Sequence, residues 1–284
     1  MQRLSPKEKD LGAGFRVRRT LPQIDRRMVG PFIFWDHMGP VPLKRGDELQ
    51  VRAHPHIGLA TITYLFSGEI MHRDTLGNEQ AIRPGEVNWM TAGRGIAHSE
   101  RSQSSDDKHL EAIQVWVALP VEHEDVAPNF YHIKESELPL ITCGDCEFRL
   151  IAGKALDHES PVPVYSELFY LYSNINKGST IRFKVPVGQE GAIYVASGTL
   201  KNQDGKKLSA EMEIYASEEV MEYTATETSD VMIFGGVPFP EKRYVWWNFV
   251  SSNKDKIEAA KLAWIRNEFG NVVNEKEWIP LPEN

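Results

Sequence analysis

Two tripeptides, His54-Pro55-His56 and His98-Ser99-Glu100, have the residue types and spacing of a metal centre. Successive side chains of an extended strand point to opposite faces, so residues two apart share one. Each tripeptide therefore offers two ligands on one side of a strand. Neighbouring strands in a barrel would bring three imidazoles and the Glu100 carboxylate to one point. Three nitrogens and one oxygen suit a divalent transition metal better than Ca²⁺ or Mg²⁺, which prefer all-oxygen shells.

The surrounding residues fit that chemistry. Counting by twos from His54 gives His56, Gly58, Ala60, Ile62, Tyr64 and Phe66, an expected face of small residues beside the ligands and apolar ones deeper. That face would line a dry cavity. The run Thr91-Ala92-Gly93-Arg94-Gly95-Ile96-Ala97 is a glycine-rich approach to the second tripeptide. Gln114 and Trp116 share a strand face and are expected to line the pocket; Trp89 either joins them or fills the core. Among the other histidines, His37 reads as a hydrogen-bonded structural residue or a cavity wall, and His72 as rim or surface. His109, His123, His132 and His158 lie in polar surroundings and read as surface residues.

The elements that must position these groups are strands. Turn residues recur every 8–12 positions, as in a sandwich or barrel. Between them lie runs rich in Val, Ile, Thr, Tyr and Phe: Ala60–Phe66, Glu111–Leu119, Phe148–Ala152, Leu168–Tyr172, Ala192–Ala196 and Val231–Phe234. One stretch, Lys254 to Phe269, has helical spacing through Ile257, Ala260, Lys261, Trp264 and Ile265. Ser252 is its expected N-cap and Gly270 its stop. Its apolar stripe is expected to dock on the body of the protein.

The chain also repeats itself. Residues 51–70 align without gaps to 181–200, an offset of 130 (181 − 51), with five identities: Arg52/Arg182, Gly58/Gly188, Tyr64/Tyr194, Ser67/Ser197 and Gly68/Gly198. A period this long implies two similar domains. At that offset His54 becomes Lys184, His56 becomes Pro186, His98 becomes Thr228 and Glu100 becomes Asp230. The ligand set therefore occurs once, and the second domain is expected to be structural. The reading is all-β: a metal-binding domain at 1–135, a ligand-free domain at 142–250, and a helix and tail at 251–284.

Composition narrows the function classes. With 284 residues, a net charge of −8 and no basic cluster, the chain does not suit a nucleic-acid backbone. No apolar run approaches the ~20 residues of a membrane span, and the N-terminal residues lack a signal-peptide core, so a cytoplasmic location is expected. The two cysteines, Cys143 and Cys146, read as flanks of a hairpin turn at Gly144-Asp145; a redox pair or half a zinc site is the alternative.

The longer motifs resemble the pirins of the cupin superfamily. These are Pro31-Phe32-Ile33-Phe34-Trp35-Asp36-His37-Met38-Gly39-Pro40, the two tripeptides, Trp89-Met90-Thr91-Ala92-Gly93-Arg94-Gly95-Ile96 and Trp246-Trp247-Asn248-Phe249-Val250-Ser251. The resemblance implies two tandem jelly-roll (cupin) β-barrels. It also implies one metal, Fe(II) first with Mn, Co, Ni or Zn as alternatives, held by His54, His56, His98 and Glu100. Some pirins cleave flavonols as quercetin 2,3-dioxygenases, and others are non-enzymatic partners of transcription factors or metabolic enzymes. The enzymatic reading has a flavonol bound through its hydroxyl and carbonyl oxygens, Glu100 as general base, and dioxygen cleaving the central ring with loss of carbon monoxide. Two rivals stand beside it: a metal-dependent sensor or adaptor for a protein partner, and zinc-dependent isomerase or hydrolase chemistry. Cupins generally carry a glutamate about four residues after the paired histidines; here Ala60 stands there, which moves acid–base work onto Glu100.

Overall fold

The computed structural model describes residues 1–10, 16–42, 49–102 and 109–283. Among the described residues the protein is all-β apart from two 3₁₀ turns and one helix, Lys254–Ile265. Alternating burial explains the strands: in Thr180–Lys184 only Ile181 and Phe183 are buried, and in Ile70–Asp74 the buried positions are Ile70, His72 and Asp74. Such a segment gains most by lying flat across a core, and its β-branched and aromatic residues fit the pleat.

The chain forms two compact units. The histidine-bearing unit comprises Asp10–Val17, His37–Glu135 and Pro240–Asn284. One of its sheets runs in the order Gln50–His56, Ile96–Arg101, Ile70–Asp74, Glu79–Ile82. The other runs Asn129–Ile133, Val87–Thr91, Leu59–Ser67, His109–Ala118 and on into Phe32–Pro42. The second unit, Met1–Lys9, Arg18–Asp36 and Ser136–Phe239, repeats the pattern. Its small sheet is Thr180–Lys184, Val220–Ala225, Leu200–Lys201, Lys207–Leu208. Its large one begins Gln2–Leu4, Met212–Tyr215, Glu190–Ser197, Ser229–Gly236, Leu168–Ile175.

Matching pairings in the two sheets revise the internal alignment. Glu100 pairs with Val51 and with His72, whereas in the second unit Ile181, the counterpart of Val51, pairs with Tyr223. The counterparts of Glu100 and His98 are thus Tyr223 and Met221, not Asp230 and Thr228. The 130-residue offset no longer holds at His98 and Glu100 because the segments before them differ in length. Met221 and Tyr223 belong to a buried apolar cluster with Phe169, Phe183 and Ile193, so this barrel's interior is filled by side chains.

The distribution of segments differs from contiguous pieces at 1–135, 142–250 and 251–284. Gln2–Leu4 pairs in register with Met212–Tyr215 and covers an edge that Asn129–Ile133 covers in the other unit. An uncovered edge would leave a row of unpaired backbone groups. The tail from Pro240 packs on the histidine-bearing unit through isolated bridges, Ile57 to Phe249 and Ala53 to Trp278. The helix docks there as expected, with Ile257 and Ala260 buried beside Phe249, although Ile265 is exposed. Its cap is Asn253 rather than Ser252: the Asn253 side chain accepts from the Asp255 amide at 2.8 Å. Cys143 and Cys146 face each other across the hairpin turn.

One glycine decides which side chains face the site. The expected continuous strand from His54 to Phe66 is broken at Ile57-Gly58, and its two halves enter different sheets. Gly58 has φ +66°, and a Cβ there would lie 2.0 Å from the Val250 carbonyl oxygen. Gly58→Ala is therefore expected to cost about 1–3 kcal/mol for the left-handed backbone alone, with the backbone clash in addition. A lowered urea midpoint, together with weaker metal retention because His56 lies two residues away, would check this.

Candidate metal centre

His54 and His98 are directly paired across antiparallel strands, and His56 shares a strand face with His54. The three imidazoles thereby meet with their potential ligand atoms all within 4.8 Å of one another. The His56 and His98 Nε2 atoms lie 3.1 Å apart. Two nitrogens bound to one ion at about 2.1 Å and at right angles would be about 3.0 Å apart.

Backbone carbonyls orient two of the rings. His54 Nδ1 donates to the Arg52 carbonyl at 2.9 Å, and His56 Nδ1 to the Asn248 carbonyl at 3.2 Å. This fixes the tautomer that leaves Nε2 bare, and gives the Trp246–Ser251 motif a role at the site. Burial pushes all three histidines down: His54 to about 4, and His56 and His98 well below the ordinary range. All three are neutral at pH 7. With His98 in the tautomer that carries its hydrogen on Nδ1, the His56 and His98 Nε2 lone pairs 3.1 Å apart repel unless a cation lies between them, and burial disfavours an added proton. The donor set therefore fits a divalent metal.

Glu100 is buried but falls outside the mutually close set of imidazoles. A bulge explains this: between the His98–His54 and Glu100–Val51 pairs the Gln50–His56 strand has one extra residue. The carboxylate reaches instead to Thr63 Oγ1 at 3.2 Å, and Thr63 in turn contacts Gln114 Oε1 at 2.7 Å. Burial pushes the Glu100 carboxyl up, while His72 and Thr63 pull it down; the net direction is up.

Those contacts define the interior face of the Leu59–Ser67 strand as Thr61, Thr63 and Leu65. Ala60, Ile62 and Tyr64 point the other way, opposite to the face counted by twos from His54, because the left-handed Gly58 resets the alternation. Gln114 pairs with Thr63 and Trp116 with Thr61, so both face the site. The Trp116 ring lies 5.2 Å from His56. Trp89 pairs with Ile62, on the opposite face, where its indole donates to Thr91 Oγ1 at 3.0 Å.

His72 is not on the rim. It is 3% exposed, stacked on Phe130 at 4.4 Å, with Nδ1 3.3 Å from His98 Nδ1 and Nε2 3.1 Å from Asp74 Oδ2. The signal was present in Ile70-Met71-His72-Arg73-Asp74, which repeats the two-residue spacing of the ligand pairs in phase with the apolar Ile70. His37 is fully buried and bonds Glu111 at 3.0 Å.

Comparison with known proteins agrees with this picture. Residues 14–117 match the Pirin family and residues 170–270 the pirin C-terminal cupin domain. A pirin-like protein of Caulobacter vibrioides is 45% identical over 283 residues, covering 98% of this chain and 97% of that one. A Pseudomonas aeruginosa protein provisionally named a quercetin 2,3-dioxygenase is 37% identical, over 93% of this chain and 83% of its own. The crystal structure of quercetin 2,3-dioxygenase from Acinetobacter baumannii superposes with a TM-score of 0.93 at 31% identity, covering all of this chain and 95% of that one. With its two β-barrel units and a buried triple-histidine cluster, this chain belongs to the pirin family.

Proposed function

We propose that this pirin is a metal-dependent dioxygenase of flavonol-type substrates, with His54, His56, His98 and Glu100 as metal ligands and Fe(II) as the working ion. The observation that carries the reading is the cluster of three buried, neutral imidazoles with converging ligand atoms. When bound, Fe(II) supplies the one-electron chemistry by which dioxygen reacts with an organic anion. A divalent charge offset by one carboxylate leaves a formal +1, which favours an enolate over a neutral flavonol.

The protein's own residues do the rest. Glu100, pushed upward by burial, is a stronger base than an exposed carboxylate and takes the flavonol hydroxyl proton. Thr63 Oγ1 lies 3.2 Å from its carboxylate, and Gln114 Oε1 contacts Thr63 behind it at 2.7 Å. Trp116, beside His56, gives a planar substrate an aromatic wall. The naming of the Pseudomonas and Acinetobacter relatives supports the substrate class.

The test is anaerobic loading with Fe(II), followed by oxygen uptake on a flavonol panel with headspace analysis for carbon monoxide. Uptake with matching carbon monoxide is expected. Stoichiometric metal with no uptake, and a protein partner captured only by the metal-loaded form, would replace this reading with a metal-dependent adaptor.

A further inference from the structure

Of the three clustered imidazoles, His98 alone has a side chain rather than a backbone carbonyl at its Nδ1. His54 and His56 are turned by the Arg52 and Asn248 carbonyls, which any residue at those positions would supply. His98 Nδ1 faces His72 Nδ1 at 3.3 Å. We infer that His72 is a positioning residue of the metal centre, setting the orientation and tautomer of His98, and that Asp74 anchors His72 from behind. The inference rests on the proposed role of His98 as a ligand.

The hydrogen-bond directions follow from the contacts. Asp74 Oδ1 accepts from the Leu76 and Asn78 amides at 2.9 and 3.1 Å, and Oδ2 accepts from Asn78 Nδ2 at 2.8 Å. A carboxylate so surrounded by donors accepts from His72 as well, so the hydrogen of His72 sits on Nε2, 3.1 Å away. In the tautomer with its hydrogen on Nε2, His72 has a bare Nδ1, which can only accept. His98 must supply the hydrogen from its own Nδ1, leaving its Nε2 lone pair directed at the point where His54 and His56 converge. Stacking on Phe130, at 4.4 Å and 14°, holds the His72 ring in the required plane.

The chain Asp74–His72–His98 also has an electronic consequence. A carboxylate behind two hydrogen-bonded imidazoles polarises both, making His98 Nε2 a stronger donor than an imidazole bonded to a carbonyl. The second barrel offers a contrast within the same chain: Lys201 stands at the position of Met71, and Met221 replaces His98. No such relay exists there among the described residues.

The experiment is an anaerobic Co(II) titration, in competition with a chromogenic chelator, on wild type, His72→Phe and His72→Gln. The d–d absorption of the cobalt protein is recorded in parallel. Phe can still stack on Phe130 but cannot accept from His98; Gln can accept with its amide oxygen and donate with its nitrogen. His72→Phe is expected to weaken Co(II) binding about 10- to 100-fold and to alter the d–d band, while His72→Gln recovers most of the affinity. Thermal unfolding of the metal-free variants checks that the fold is intact. Should His72→Phe not fold, His72→Leu, which likewise cannot accept from His98, takes its place in the same titration with the same expected loss. Wild-type binding unchanged in His72→Phe would overturn the inference and leave the ligand assignment standing. Equal losses in Phe and Gln variants would overturn the hydrogen-bond argument. No Co(II) binding by the wild type would instead overturn the ligand assignment, and the inference with it.

Discussion

Glu100→Gln is expected to reduce oxygen-dependent flavonol turnover by about 10²- to 10⁴-fold, the range supplied by a general base, while the protein still takes up metal. The asymmetry comes from geometry. The three imidazoles meet without help from Glu100, whose carboxylate lies toward Thr63 and Gln114 on the other side of a bulge. Gln keeps the shape and the contact to Thr63 but cannot accept a proton from substrate. Elemental analysis and an oxygen electrode on the same preparation would separate the two effects. Full turnover in the variant would remove the base role from Glu100. Loss of metal together with turnover would show that the carboxylate is needed first as a ligand.

Acid is expected to destabilise the metal-free protein well before its surface carboxylates titrate. His54 is pushed down by burial to about 4 in the folded protein, against an ordinary value of about 6.5 in the unfolded chain. Between those values the unfolded chain binds the proton and the folded one does not. The stability present above pH 6.5 is therefore lost as the pH falls toward 4, by roughly 3 kcal/mol for this group alone. His56 and His98 act in the same direction. Glu100 acts oppositely: burial raises its value, so it favours the folded protein at low pH and loses that advantage as the pH rises through its folded value. Asp36, also raised by burial, acts like Glu100; three histidines against these two carboxylates make the expected net slope positive from pH 4 to 6.5. Urea midpoints of the metal-free protein across that window would show it, and His54→Asn should flatten it. An unchanged slope in that variant would remove His54 from the account.

Much of the site was legible because strand chemistry is local. Two-residue spacing puts His54 and His56 on one face wherever the strand lies, and turn residues mark where strands end. The same rule misled once it was carried through Gly58, because a single left-handed residue reverses the inward face; Thr61, Thr63 and Leu65 line the interior in place of Ala60, Ile62 and Tyr64. Trp89 was displaced for the same reason: its partner is Ile62, not Thr63. His72 was missed because its neighbourhood looks polar in one dimension. Its burial depends on pairing with Glu100 and stacking on Phe130, 58 positions along the chain (130 − 72).

By itself the sequence determined the all-β class, the doubling of a barrel motif, the three histidines and the strands that carry them. These rest on alternation and turn chemistry, which act over a few residues. The tertiary structure alone decided that Glu100 stands apart from the imidazoles, that His72 stands behind His98, and that Gln2–Leu4 completes the barrel formed by residues 136–239. A bulge, a left-handed glycine and a long-range edge pairing set those positions. Each depends on which strands meet, and spacing along the chain does not specify that.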